Sequence, residues 1–272
     1  MPSIEQNKYW WDKEKDWDAA GDEWSEQYGT SAMQWHTSIL PRIHPYLPAL
    51  TILEIAPGFG RWTQYLKNLC EQLVVVDLSV KCIEACKVRF KGDDNIAYHL
   101  NDGKSLSMIE DNSIDFLFSF DSLVHAENDS IQAYLEQLAR KLKPNGVGFV
   151  HHSNLGSFAK HFEMADKLPK GRGLLSKMHI LEPGDHKRCH AMTADRFVSL
   201  ADGAGLKVVS QELINWGTQR PIDCLSIFTH PNGIWDRDYQ RWVNEDFGRE
   251  AAYIRKMARL YDRTEAPSPK LT

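Results

Sequence analysis

The chain has 272 residues, 42% of them hydrophobic and 25% charged, with a formal net charge of −5. This composition supports a sizeable core without a disulfide or metal staple, and the acidic balance argues against broad binding of a polynucleotide backbone while leaving a local basic patch open. No run reaches the ~18 apolar residues of a membrane-spanning helix, and five cysteines, odd in number and without a CxxC pair, suit reduced thiols in a cytoplasmic protein.

Residues 1–50 read as a helical, aromatic cap. Trp10, Trp11, Trp17, Trp24, Tyr28 and Trp35 punctuate a charged background, and Pro41, Pro45 and Pro48 close the segment. The first 15 residues hold no apolar stretch, so no secretory leader is expected. Such a cap can cover a ligand site or pack its aromatics on a sheet edge, and both readings stay open.

From residue 51 the pattern alternates. Strands are predicted at 51–55, 73–76, 96–100, 115–120 and 147–152, with helices at 61–70, 80–90 and 131–142. The last helix runs into Lys141-Leu142-Lys143-Pro144-Asn145-Gly146. Its lysines complement the helix dipole, and the proline and glycine stop it. Cys82 and Cys86 share a helix face and read as buried thiols rather than half a metal site. The alternation predicts an α/β fold with a doubly wound, mostly parallel sheet.

Residues 153–192 interrupt that rhythm with glycines, Pro183, His179, Asp185, His186, Lys187, Arg188 and His190. An insertion of this length is commonly functional. A basic, histidine-bearing flap suits an anionic or polyhydroxyl ligand, and a plain surface loop explains it equally. A helix at 194–204 and strands at 206–215 and 224–229 complete a domain spanning 51–230. Residues 238–263 read as an amphipathic helix packed on the domain or on a second copy, so a homodimer stays open. The tail from Pro267 is expected to fray.

The chemistry concentrates after the first strand. Glu54-Ile55-Ala56-Pro57-Gly58-Phe59-Gly60 is an apolar strand entering a Gly-x-Gly turn, and Val74-Val75-Val76-Asp77 ends a second strand in one acid. The glycines let backbone approach a nucleoside, and Asp77 would accept hydrogen bonds from ribose hydroxyls, since Ser79 is the better helix cap. A dinucleotide loop would place a third glycine at Thr63, and Trp62 crowds the helix start where a pyrophosphate would sit. Glu54 is costly inside an apolar strand unless it meets a cation or donors. S-adenosylmethionine, with a sulfonium and an α-amino group, meets that demand.

The stretch 52–228 resembles the class I S-adenosylmethionine-dependent methyltransferases. Its glycine loop is similar to their first motif, and Asp77 stands where their ribose-binding acid stands. Asn101-Asp102-Gly103 resembles their adenine-contacting segment, although Asp102 could serve only a turn. Ser119-Phe120-Asp121-Ser122-Leu123-Val124-His125 resembles the segment facing the methyl group, and Leu142-Lys143-Pro144-Asn145-Gly146 their LKPGG turn. The resemblance implies a seven-stranded Rossmann-like sheet with its last strand reversed. It also implies cofactor contacts from Glu54, Ala56, Pro57, Gly58, Gly60, Trp62, Asp77, Leu78, Asn101, Asp102, Gly103, Phe120 and Asp121.

Three features bear on the acceptor. No D/N-P-P-Y/F/W segment follows the fourth strand, no Pro-Cys pair exists, and the net charge is acidic. Together they argue against methylation of nucleic acid bases. Methylating a hydroxyl requires a general base or a metal. Asp121, His125, His152 and Asn154 follow strands whose carboxyl ends flank the ligand crevice. His125 or His152 is the candidate base, with Asp121 orienting it or joining Asn154 around a divalent ion such as Mg2+. His151 and His152 must face opposite ways along a strand, so one of them is structural. The whole resembles methyltransferases acting on sugar hydroxyls or glycan ends. An amine or carboxylate acceptor, and a non-catalytic module that only binds S-adenosylmethionine, are the alternatives.

Overall fold

The computed structural model of the protein describes residues 3–15, 17, 19–160 and 187–261. Of the predicted insertion, His179, Asp185 and His186 lie outside the described residues, as does the tail from Pro267.

Eight strands form one sheet: β1 (Ala49–Ile55), β2 (Cys70–Asp77), β3 (Ile96–Leu100), β4 (Ile114–Ser119), β5 (Leu142–Ser153), β6 (Lys207–Ile214), β7 (Asp223–Thr229) and β8 (Gln240–Asn244). Their order is β3-β2-β1-β4-β5-β7-β6-β8. The pairings among β1 to β5 are parallel, and β7 runs antiparallel to both β5 and β6. This is the doubly wound arrangement the alternation predicts. β1 and β4, the strands where the order reverses, form the switch point that opens a crevice at their carboxyl ends.

The central strands are near-continuous apolar runs because both faces of the sheet are covered. On one face, Ile52, Val75, Phe118 and Phe149 pack with Trp35, Ile39 and Ile43 of the N-terminal segment. On the other, Leu53, Val76, Leu117 and Val150 meet Leu135 and Leu138 of helix Asn128–Lys141 and Phe197 of helix Ala194–Gly203. The first 46 residues thus contribute directly to the core through short helical turns, while their earliest part reaches the crevice.

Several predicted boundaries move. The helix expected over 61–70 shrinks to Thr63–Leu66, because Cys70 and Gln72 pair with Ala49 and Thr51 and extend β2 backwards. The Lys-Pro-Asn-Gly turn is absorbed into β5, where the register with β4 shifts between Ile114 and Phe116. The sheet has an eighth strand where a helix was predicted. β8 adds to the edge of β6 in parallel, with Asn244 Nδ2 donating to Glu212 Oε1 at 2.8 Å. Only then does helix Phe247–Leu260 begin, so the tail is a strand and a helix rather than one helix. Among the described residues, no helix is long and apolar enough to cross a membrane.

Candidate active site

Two compartments meet above the carboxyl ends of β1, β2 and β4. The larger, about 770 Å3, is lined by Ala56 and Gly58 after β1, Asp77 and Leu78 at the end of β2, and Asn101 and Gly103 after β3. The smaller, about 450 Å3, is lined by Trp11, Trp17, Trp24, Arg61, Phe120 and Asp121. Trp11, Trp17, Ala56, Gly58, Ser122 and His125 line both, and of these only His125 has a titratable side chain.

The glycine loop beneath the larger compartment is backbone held in demanding shapes. Gly58 has φ +59°, and a Cβ there would stand 2.9 Å from the Trp17 ring. Gly60 has φ +84°, and a Cβ would collide with Phe90 at 2.4 Å. Only glycine meets both demands. Ser122 Oγ donates to Ala56 O at 2.8 Å and Ser119 Oγ to Ile55 O at 2.9 Å, which ties the loop after β4 to the glycine loop.

Asp77 is buried at the end of β2. Ser79 N–H donates to its Oδ1 at 2.8 Å and Gly58 N–H to its Oδ2 at 3.3 Å. Burial pushes its carboxyl up to about 7, against the pull of those N–H donors. Ser79 caps helix Val80–Arg89 by accepting from Cys82 N–H, so the cap does not need Asp77. A carboxylate walled by Val76, Leu78 and Leu123 fits the ribose and adenine of S-adenosylmethionine. The N-terminal segment roofs the cavity: Ile4, Asn7, Trp11 and Trp17 line it, Trp17 stacks on Phe59 at 4.4 Å, and Ser79 Oγ donates to Asp12.

Other predicted cofactor residues fall elsewhere. Glu54 lies outside the lining of both compartments. It is buried, its Oε2 accepts from Thr63 Oγ1 at 2.6 Å, its Oε1 has no partner, and burial lifts its carboxyl to about 8. Gly60 serves the packing of the loop on Phe90. Pro57, Trp62, Phe120 and Asp121 line the smaller compartment rather than the larger. Asp102 is exposed and lines neither compartment, and its Oδ1 accepts from Lys104 N–H at 2.9 Å and Ser105 N–H at 2.7 Å, which supports the turn reading of this residue.

The histidines separate cleanly. His125 is half-buried, and its Nδ1 lies 2.6 Å from Lys187 O. Burial lowers its pKa, partly offset by that hydrogen bond. His152 is fully buried on the opposite face, stacked on Phe197 at 4.1 Å, with Nδ1 on Ser153 O and Nε2 on Ser226 Oγ. Burial pushes its pKa down to about 3. Both nitrogens are committed, so His152 is a core residue and not a base. His151 faces the site side, stacked on Trp216, and accepts Asp121 N–H on Nδ1 at 3.1 Å.

The proposed metal pair does not assemble. Asp121 Oδ2 accepts from Arg61 Nη2 at 2.7 Å. Asn154 is buried, and its amide is spent on Pro221 O, Ala194 N–H and Ser157 Oγ. Asp121 and Asn154 therefore do not fit a divalent cation. Among the described residues, no group of three or more histidines, cysteines or carboxylates stands ready for one. Arg61, directly after Gly60, escaped the sequence reading. An arginine following an apolar loop was the available signal.

Residues 52–146 match the family model described as a methyltransferase domain. Phosphoethanolamine N-methyltransferase 1 from Triticum aestivum is 29% identical over 119 residues, which cover 42% of this chain and 24% of that protein. The match thus spans about a quarter of that relative's length. An S-adenosylmethionine-dependent methyltransferase from Mesorhizobium loti superposes with a TM-score of 0.53 at 17% identity, over 74% of this chain and 99% of its own. The PH0226 protein from Pyrococcus horikoshii OT3 gives 0.53 at 18%, over 75% and 93%. At these identities the two structures speak for the fold.

Proposed function

We propose that the chain is a class I S-adenosylmethionine-dependent methyltransferase, a reading supported by the methyltransferase-domain match over 52–146 and the strand order, and that it methylates a hydroxyl of a small polar acceptor such as a sugar or glycan end, with His125 as the base. The observation that carries this reading is the place of His125, at the junction of both compartments. S-adenosylmethionine, when bound, supplies a methyl group made electrophilic by its sulfonium. Asp77 holds the ribose hydroxyls, and the roof of Trp11 and Trp17 keeps water from the transfer.

The acceptor enters the smaller compartment. The walls of Trp11, Trp17 and Trp24 suit the apolar faces of a sugar ring, and the Arg61–Asp121 pair offers polar contacts at one side. His125 is neutral near pH 7 because burial lowers its pKa. With Nδ1–H given to the Lys187 carbonyl, Nε2 keeps the lone pair that accepts the hydroxyl proton.

A second reading rests on a specific observation. The Triticum aestivum relative is by its name an amine methyltransferase, and tryptophan faces beside a carboxylate also suit an ammonium group. Mass spectrometry after incubation with S-adenosylmethionine, against a panel of sugars and phosphoethanolamine, separates the two. Methylated sugar in the parent and none in His125→Ala is the expected result. Methylation of phosphoethanolamine alone would replace the hydroxyl reading with the amine one.

A further inference from the structure

The segment that carries Lys187 is anchored from several sides. Arg188 Nε and Nη2 donate to Asp223 Oδ1 and Oδ2 at 2.5 and 2.7 Å. Cys189 N–H donates to Val124 O at 2.9 Å, and Ser153 Oγ donates to Cys189 O at 2.7 Å. These ties reach the first residue of β7, the turn Leu123–His125 and the last residue of β5. Beside them, the Lys187 carbonyl meets His125 Nδ1 at 2.6 Å. A carbonyl oxygen only accepts, so this bond forms only when Nδ1 carries the proton.

We propose that the Arg188–Asp223 pair is a positioning device that fixes the Lys187 carbonyl and thereby holds His125 as the Nδ1–H tautomer, with Nε2 unprotonated. The inference rests on the reading of His125 as the base. The pair has the character the task requires. A bidentate guanidinium–carboxylate contact fixes orientation as well as distance, which a lysine would not do. The Asp223 side chain is fully buried, and a buried ion pair is a weak source of stability by itself. Despite the burial that would raise its pKa, the neighbouring Arg188 holds the carboxyl well below its usual range.

Asp223 also stands behind the other side of the site. His151 Nε2 lies 3.7 Å from Asp223 Oδ2, while His151 Nδ1 accepts Asp121 N–H. Asp121 sits at φ +63°, a conformation non-glycine residues rarely hold without such support. One buried carboxylate at the start of β7 thus backs His125 through Arg188 and Lys187, and Asp121 through His151.

The test is long-range 1H–15N spectroscopy of protein labelled with 15N-histidine, with S-adenosylhomocysteine bound and the His125 signals identified by their loss in His125→Gln. The parent should show the Nδ1–H tautomer. Arg188→Gln should shift His125 toward the Nε2–H form, and kcat should fall by ~10–100-fold, the scale known for removing the partner behind a metal-bound histidine, with the KM for S-adenosylmethionine unchanged. Arg188→Lys, which keeps a cation on Asp223, should show the same tautomer shift and serves if the glutamine variant does not fold. A folded variant that keeps the parental tautomer would overturn the positioning role and leave the base assignment intact. Full turnover in His125→Gln beside a shifted tautomer in Arg188→Gln would do the reverse.

Discussion

The larger compartment takes Ala56, Gly58, Asp77, Asn101 and Gly103 from the ends of three neighbouring strands, within residues 55–103. The smaller one beside it is walled by side chains drawn from Trp11, Trp24, Arg61 and Asp121, far apart along the chain. A backbone floor depends on glycines and strand ends, and it recognises what every cofactor molecule has in common. A side-chain wall can be rebuilt one residue at a time, and on the proposed reading it is where an acceptor is chosen. His125 belongs to both, which makes it the sharpest probe of how they cooperate.

The largest effect is expected there. His125→Ala should lower kcat by ~10²–10⁴-fold, the range for losing a general base, while calorimetric affinity for S-adenosylhomocysteine stays at the parental value. Equal losses in binding and turnover would mean that His125 shapes the cofactor compartment and that the two regions are not separable.

Next comes His152, which is adjacent in sequence to His151 yet belongs to neither compartment. His152→Ala removes a ring stacked on Phe197 and takes the acceptor from the Ser226 hydroxyl, which still accepts from Gln211 Nε2 at 3.0 Å, so it should cost ~2–4 kcal/mol of stability by denaturant unfolding with kcat unchanged. Its pH dependence has a definite sign. The folded state resists protonating His152 until about pH 3, whereas an unfolded histidine takes a proton near its ordinary value of 6.5. The unfolded state therefore binds more protons in that window, and this share of stability is lost as pH falls from 6.5 toward 3. The gap between parent and variant should narrow over that range. A kinetic defect in folded His152→Ala would put the residue back into the site.

These two histidines mark how far the sequence could be read. The strand–helix alternation, the Gly58–Gly60 turn and Asp77 were legible because each rests on local pattern: an apolar run, a turn needing positive φ, an acid at a strand end. The face that His152 takes was legible only as one of two choices, since alternation says that neighbours diverge and not which one turns inward. Arg61 on Asp121 and Arg188 on Asp223 were not legible at all, because both pairs join residues brought together only by the folded sheet. The eighth strand was hidden for a related reason. Tyr239, Trp242 and Val243 fit a helical spacing, and it is the open edge of β6 that recruits Gln240–Asn244 as a strand.

Asp77→Ala tests the backbone-built side alone. Losing charge-assisted bonds to ribose should cost ~1.5–3 kcal/mol, or about 10- to 150-fold in S-adenosylhomocysteine affinity. The variant also leaves the Gly58 and Ser79 N–H groups without their acceptor, so Asp77→Asn, which keeps an acceptor, should lose less. Parental affinity in both variants would remove ribose from this position.

The smallest effect falls on Asp102, where motif and geometry disagree most plainly. By resemblance it sits in an adenine-contacting segment. In the fold its carboxylate turns back on Lys104 and Ser105, and Asn101 and Gly103 on either side reach the compartment instead. A side chain that accepts from its own backbone two and three residues on is building an Asx-type turn. Asp102→Ala should therefore leave S-adenosylhomocysteine affinity unchanged and cost at most ~1 kcal/mol of stability, the scale of one net hydrogen bond. A clear loss of affinity without loss of stability would show that Asp102 leaves its turn when the cofactor binds. The cofactor compartment would then owe part of its recognition to a moving side chain, and the contrast between a backbone-built and a side-chain-built region would have to be redrawn at its adenine end.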